Sequence, residues 1–379
     1  MRLRNSWGVG SLKGNIYEEI GVRRVINASF CLTELGGSTL SQEVLDAMAE
    51  ADRCYVSMQE LEEKAGKIIA GITGAEAAYV TTGAFSALVL SAAACIAGKD
   101  PEKMRRLPDT TGMKNEIIIQ RNLRSVFDRS MEVSGGKFVV IEPTLEALEA
   151  AITEKTAAIH YLPQLDPPRT DVIPLERVIE IGHRHGVPII VDAAGQTYPI
   201  DRFKMFVRMG ADLVCYSGKY FGGPSSTGFV CGKKDLIEAV AGNSFIGLEE
   251  GWLGRGYKLD RQQVVGLIVA LRRWIGLDHE KRLQKAYERR DCLIEALKDV
   301  SGIKLRAQPY SYHLVGLWVV FEKKTPEETA DLAGKLRDGD PPIWVRQVMD
   351  NSILINTLFL IENDERIIAE KLKSLVANN

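Results

Sequence analysis

The chain has 379 residues, a formal net charge of −2, 45% hydrophobic residues and 26% charged residues, which are ordinary values for a globular protein of two or three domains. That charge balance offers no general attraction to nucleic acid or to an anionic membrane. The longest apolar run, near 87–97, is well short of the ~20 residues that span a bilayer. No signal-peptide core opens the chain, and the cysteines (Cys31, Cys54, Cys95, Cys215, Cys231, Cys292) show neither CxxC nor metal-ligand spacing. The reading is a cytoplasmic protein with free thiols, several of them buried.

In chain order, residues 1–15 read as an arm with Gly8, Gly10 and Gly14. A strand within 21–29 leads to a polar loop, LGGSTLS, and Ser41 caps a helix over 42–50. A second helix covers 60–71. Apolar runs then predict seven strands, at 77–82, 116–120, 137–142, 157–162, 188–193, 212–217 and 228–232. Most are separated by helices long enough for crossovers, hence an α/β fold with a mostly parallel sheet. The last two are joined too tightly for a crossover, so the seventh strand is expected to run antiparallel. Residues 261–300 read as one long or kinked linking helix. A small C-terminal α/β domain follows, with strands at 303–305, 314–321, 343–348 and 352–356. Its first helix opens on a capping box, Thr325 to Glu328, with Pro326 at the first helical position, and a last helix starts at Asp364. The expected organisation is an N-terminal segment packing with the small domain (1–45), a large domain (46–260), the linking helix (261–300) and the small domain (301–379).

The chemistry concentrates between Val187 and Gly232. The strand at 188–193 carries Asp192 at its exit, and the next strand leads into Ser217-Gly218-Lys219 and a loop of Gly, Pro and Ser. Ligands of open α/β sheets bind outside the carboxyl ends of the strands. An acid and a lysine there suit pyridoxal 5'-phosphate (PLP): Lys219 as the Schiff-base lysine and Cα proton carrier, Asp192 as the partner of the pyridinium nitrogen. Thr82, Gly83 and Ala84 open a helix directly after a strand, where free N–H groups and the helix dipole hold a phosphate; Ser217 adds a hydroxyl, and Gln196 reaches toward the phenolic oxygen. Each feature alone also suits a plain strand exit, a surface lysine or a solvated turn. Arg255 and Lys258, in GWLGRGYKLD, are candidates for an anion. Arg346, in IWVRQV, is a candidate for a substrate carboxylate. His183 and His185 lack a third metal ligand and read as solvated.

The stretches IYEEIGVRRVINAS, LGGSTLSQEVLDAM, VDAAGQ, GADLVCYSGKYFGGPSSTGFVCGKKDLIEA and GRGYKL carry a resemblance to the PLP-dependent fold type I (aspartate aminotransferase) superfamily. Within it the chain is similar to the branch of selenocysteine synthase and D-glucosaminate-6-phosphate ammonia-lyase. The resemblance implies the same roles for Lys219, Asp192 and Thr82–Ala84, and a homodimer or larger assembly whose sites are completed by the neighbouring subunit. Three positions depart from the branch: Phe30 replaces a glycine, Leu123 a histidine suited to ring stacking, and Thr357 an arginine. All three are expected near the substrate, where they point to a smaller, less anionic one.

The reaction this favours is removal of the Cα proton of a small amino acid or amino-sugar acid, then β-elimination as in an ammonia-lyase. Transamination and racemisation use the same residues. A selenium transferase needs a basic surface for tRNA, which the net charge of −2 does not supply. A non-catalytic PLP-binding relative would keep the fold without the turnover.

Overall fold

The computed structural model describes residues 16–246, 252–347 and 350–377. The expected arm over 1–15 and the end of the expected strand at Val348 lie outside them. Two compact units emerge: one is Gly36–Leu277, and the other joins the segment ending at Leu35 to everything from Asp278 onward. The first strand, β1 (Ile26–Ala28), belongs to the second of these.

The larger unit holds β2 (Ala77–Thr81), β3 (Glu116–Gln120), β4 (Lys137–Ile141), β5 (Thr156–Tyr161), β6 (Ile189–Asp192), β7 (Leu213–Ser217) and β8 (Gly228–Gly232). They form one seven-stranded sheet in the order β2-β8-β7-β6-β5-β3-β4. Every pairing is parallel except those of β8, which is antiparallel to both β7 and β2, as the short connection requires. Strands covered on both faces read as unbroken apolar runs, which is why 116–120 and 189–192 lack polar alternation. One face is covered by the helix Gly83–Ala97, apolar nearly all round and buried along most of its length. Its Leu88 and Leu90 meet Ile190, Leu213, Cys215 and Val230. The opposite face carries the helices Met58–Thr73, Leu175–Arg184, Arg202–Met209 and Arg261–Ile275, packed around Val214, Tyr216 and Phe229.

The smaller unit is built on β9 (Ile303–Ser311), β10 (Leu314–Phe321), β11 (Ile343–Gln347) and β12 (Ser352–Asn356), with β1 added at the edge beside β11. That parallel pairing, Ile26 to Ile343 through Ala28 to Val345, joins segments at the two ends of the chain. Leu317, Val319, Ile353 and Ile355 pack against Leu293, Leu336 and Leu372 from three helices. The capping box forms as read: Thr325 Oγ1 accepts from Glu328 N at 3.3 Å and Glu328 Oε2 accepts from Thr325 N at 2.8 Å.

The linking segment is not one helix. Arg261–Ile275 ends at Gly276, and His279–Leu297 begins anew with Asp278 accepting from Lys281 N at 2.9 Å. The division between the units falls at this break. Cys31, Cys215 and Cys231 are buried, Cys54 and Cys292 are exposed, and none of the six forms a disulfide. No helix of the described residues is long and apolar enough to cross a membrane.

Candidate active site

The site is assembled where β6 and β7 end side by side. Asp192 pairs in register with Cys215. Beyond the strands, Ala193 N donates to Cys215 O at 3.0 Å and Ser217 N donates to Ala194 O at 3.1 Å. Thr197 Oγ1 then donates to Tyr220 O at 3.2 Å. The segment after Asp192 is therefore laced to the turn Gly218–Phe221 that carries Lys219. Gly218 must be glycine, since a Cβ would lie 2.3 Å from Thr227 Oγ1. The Lys219 amine lies 5.4 Å from the Tyr220 ring centre.

Asp192, Cys215 and Ser217 share one face of the sheet, the face of the helix Gly83–Ala97, as the Ser91 Oγ–Cys215 Sγ contact of 3.5 Å shows. Asp192 is 6% exposed. One of its oxygens accepts from Ala194 N at 3.1 Å, and no Lys, Arg or His among the described residues pairs with it. Burial pushes its carboxyl up to about 6, and the nearby Asp128 charge adds to the rise. A buried carboxylate with no protein cation is suited to a positively charged ring nitrogen.

The expected phosphate cradle lies in the same row. Thr81 pairs with Gly228 and Gly228 with Ser217, so these three residues span the edge. A Cβ on Gly228 would lie 2.9 Å from Gly83 Cα, and its absence lets the helix start approach the sheet. Gly83 has φ +79°, and no side chain caps this helix, because Thr82 Oγ1 instead donates to Ser86 Oγ at 2.8 Å. Uncapped N–H groups at half-buried Gly83 and Ala84 are ready donors for an anion. With Asp192 and Lys219 beside them, the donor set fits PLP.

Other expected residues fall elsewhere. Gln196 is buried, with its oxygen accepting from Arg202 at 2.9 Å and its Nε2 donating to Pro163 O at 3.2 Å. One amide hydrogen is left, so the side chain chiefly ties the loop after β5, where Arg202 also holds Asp166 at 2.6 Å. Arg255 follows Trp252 and Leu253, which pack with Ala97, Met104 and Leu107 at the far end of the helix from Thr82–Ala84. The chain therefore does not bring Arg255 to its own Lys219, and both Arg255 and Lys258 are exposed. Arg346, in the other unit, is exposed with its guanidinium 6.0 Å from the Phe30 ring centre.

Two of the three departures expected near the substrate, Leu123 and Thr357, need correction. Leu123 is 1% exposed and packs with the core of the opposite sheet face from Asp192, so it does not stack on a ring held there. Thr357 is fully buried, donating to Ala286 O at 2.7 Å and Val315 O at 3.1 Å. Neither reports on the substrate's charge or size. His183 and His185 are paired rather than solvated, with Asp212 at 3.0 Å and Glu149 at 2.8 Å. Sequence reasoning gave the LGGS loop no role. Yet a Cβ on Gly37 would lie 2.1 Å from Ser225 Oγ and 3.6 Å from Lys219 Cβ, and Ser38 Oγ donates to Gly223 O at 2.6 Å. Two adjacent glycines were the only signal.

Residues 139–309 match the aminotransferase class-V family. A 5'-C-glycyluridine monooxygenase-decarboxylase from Streptomyces sp is 33% identical over 347 residues, covering 87% of this chain and 84% of that protein. A D-glucosaminate-6-phosphate ammonia lyase from Salmonella typhimurium is 28% identical, covering 88% of this chain and 89% of its own. A solved D-glucosaminate-6-phosphate ammonia-lyase structure matches with a TM-score of 0.85 at 26% identity, over 97% of this chain and 99% of that one. An L-seryl-tRNA(Sec) selenium transferase from Aquifex aeolicus is 25% identical over 94% of this chain and 85% of its own. With a relative this similar along most of both chains, and a donor set at the ends of β6, β7 and β2 that fits the cofactor, the protein belongs to the PLP-dependent fold type I enzymes, in the branch of the ammonia-lyase and selenocysteine synthase.

Proposed function

We propose that this enzyme is a lyase of the ammonia-lyase type, acting on an amino acid or amino-sugar acid with Lys219 as its proton carrier. The observation that carries the reading is the unpaired buried Asp192, laced through Ala194 and Thr197 to the Lys219 turn. Bound PLP supplies an electron sink for the Cα pair. Asp192 would keep its ring nitrogen protonated; the N–H groups at Gly83 and Ala84, with the Ser217 hydroxyl, would hold its phosphate. The Lys219 amine takes the Cα proton, and the β-substituent leaves with its bonding pair. Water then releases ammonia and a keto acid.

Arg255 and Lys258 support a homo-oligomer: both are exposed, and Arg255, remote from its own Lys219, suits the phosphate of a neighbouring subunit's cofactor, with Lys258 beside it in the chain and Arg346 for a substrate carboxylate. Cysteines outside any disulfide support a reducing, cytoplasmic setting. A second reading, oxidative loss of the α-carboxyl, is favoured by the 33% identity to a monooxygenase-decarboxylase. The test is the absorption spectrum of the purified protein beside Lys219→Ala, followed by product analysis. The lyase reading expects a violet cofactor band that Lys219→Ala loses, and ammonia with keto acid formed without oxygen. Strict dependence on oxygen with release of carbon dioxide selects the second reading. A protein colourless after added PLP overturns both.

A further inference from the structure

The loop from β5 to the helix Leu175–Arg184 covers 162–174 and is pinned along its length. Arg202 holds both carboxylate oxygens of Asp166, at 2.6 and 2.9 Å. Asn122 Nδ2 donates to Asp171 O at 2.7 Å, and Arg169 donates to Asn122 O at 2.6 Å. Gln120 Oε1 accepts from Ile173 N at 2.6 Å, and its Nε2 donates to Ile173 O at 3.3 Å. Closing this loop onto the apolar side chains beneath it would take more of their surface from water. It stands off instead, and a cavity of about 260 Å³ lies between it and the helix Arg202–Met209. Leu123, Val172, Leu175, Met205, Phe206 and Met209 give that cavity apolar walls. All of them belong to the larger unit, and the lining includes none of Asp192, Ser217, Lys219 or Thr82–Ala84.

Tyr161 is the polar side chain in this lining whose hydrogen bonding is incomplete. It is 7% exposed, and its hydroxyl meets no hydrogen-bond partner among the described residues. A buried tyrosine normally finds one. Burial pushes the hydroxyl up to about 12, and the Glu176 charge adds to the rise, so it keeps its proton and stays a donor at neutral pH. Glu176 and Arg169 also line the cavity, Arg169 already paired with Asp171. A cationic ligand would meet Arg169 and an anionic one Glu176, so the space suits an uncharged molecule. An apolar cavity of roughly 150 Å³ holds one benzene, which leaves room here for a single ring with a short substituent. Met205 and Met209 adapt readily to such a ring.

We propose that this cavity is an accessory binding site for a small uncharged ring bearing a carbonyl acceptor, with the Tyr161 hydroxyl as the donor that orients it. The site stands independently of the lyase reading.

The probe is acetophenone, with benzoate as its anionic counterpart. Saturation-transfer NMR and shift titrations are run on the wild type with and without added PLP, and on Lys219→Ala, Tyr161→Phe and Val172→Phe. Acetophenone protons should receive saturation in the wild type and in Lys219→Ala, and benzoate should bind about tenfold more weakly. Tyr161→Phe should weaken acetophenone about tenfold without lowering Tm, since no bond within the protein is lost. Val172→Phe, at a half-buried wall, should abolish the signal by filling the space. The proposal is overturned if acetophenone receives no saturation, as when water alone serves Tyr161, or if either cavity variant binds it as the wild type does. Benzoate bound as tightly as acetophenone overturns it, as does a fall in Tm for Tyr161→Phe. Binding abolished by added PLP or by Lys219→Ala would put the probe in the cofactor's own site and overturn it equally.

Discussion

Replacing Asp192 by asparagine should make the cofactor-free protein more stable and its hold on PLP weaker. The carboxyl sits at about 6 in the fold against an ordinary 3.8, chiefly through burial. A raised carboxyl binds its proton more tightly when folded, so stability is fullest below 3.8, falls as pH rises between 3.8 and about 6, and stays reduced above. At roughly 1.4 kcal/mol per pH unit, the charged form costs ~3 kcal/mol at neutral pH. Asparagine keeps an oxygen for Ala194 N and carries no charge. For a unit of this size that gain corresponds to a Tm rise of about 5–10 °C at pH 8, vanishing near pH 4. The groups facing Asp192 that bear on this are the Asp128 carboxylate and the Ala194 N–H. Calorimetry of both apo proteins across pH 4–8, paired with cofactor titrations, makes the measurement. An apo variant no more stable at pH 8 than the wild type, or one that holds PLP equally well, would refute a buried carboxylate awaiting a ring cation.

The phosphate cradle and the shared site carry two further expectations. Gly228→Ala places a methyl 2.4 Å from Tyr216 O and 2.7 Å from Gly83 C, so the start of the helix must shift; PLP affinity should fall by roughly 10–100-fold, read by fluorescence titration, and unchanged affinity would remove Gly83 and Ala84 from the cradle. If Arg255 serves a neighbouring subunit, Lys219→Ala and Arg255→Ala should each be inactive alone, and mixed chains should recover about a quarter of wild-type turnover through one intact site per mixed dimer. Recovery absent from verified mixed oligomers would return Arg255 to its own chain.

Patterns set by neighbouring residues were legible in the chain. Unbroken apolar runs gave the buried parallel strands, an acid and a lysine at successive strand exits gave a candidate site, and Thr325 with Glu328 gave a helix start that forms through reciprocal bonds. Asp192, Ser217 and Lys219 could be read as neighbours because successive parallel strands put their exits at one edge, so order along the chain became proximity in space. The break at Gly276 was less visible, since helical periodicity continues on both sides of it.

Pairings between distant segments had no local signature. Nothing in Ile26–Ala28 announces a parallel partner at Ile343–Val345. The commitment of Gln196 to Arg202 and Pro163, and the burial of Leu123 and Thr357, depend on which residues the fold brings against them. The Tyr312-His313 turn between β9 and β10, with both φ angles positive, runs against local preference altogether and is held by Asn356, more than 40 residues later in the chain. The sequence by itself determined the cofactor chemistry, because strand-exit residues act from where their own strand ends. Tertiary structure alone decided which side chains are engaged and which can still meet a ligand, because hydrogen-bond partners and burial come from segments no local pattern connects.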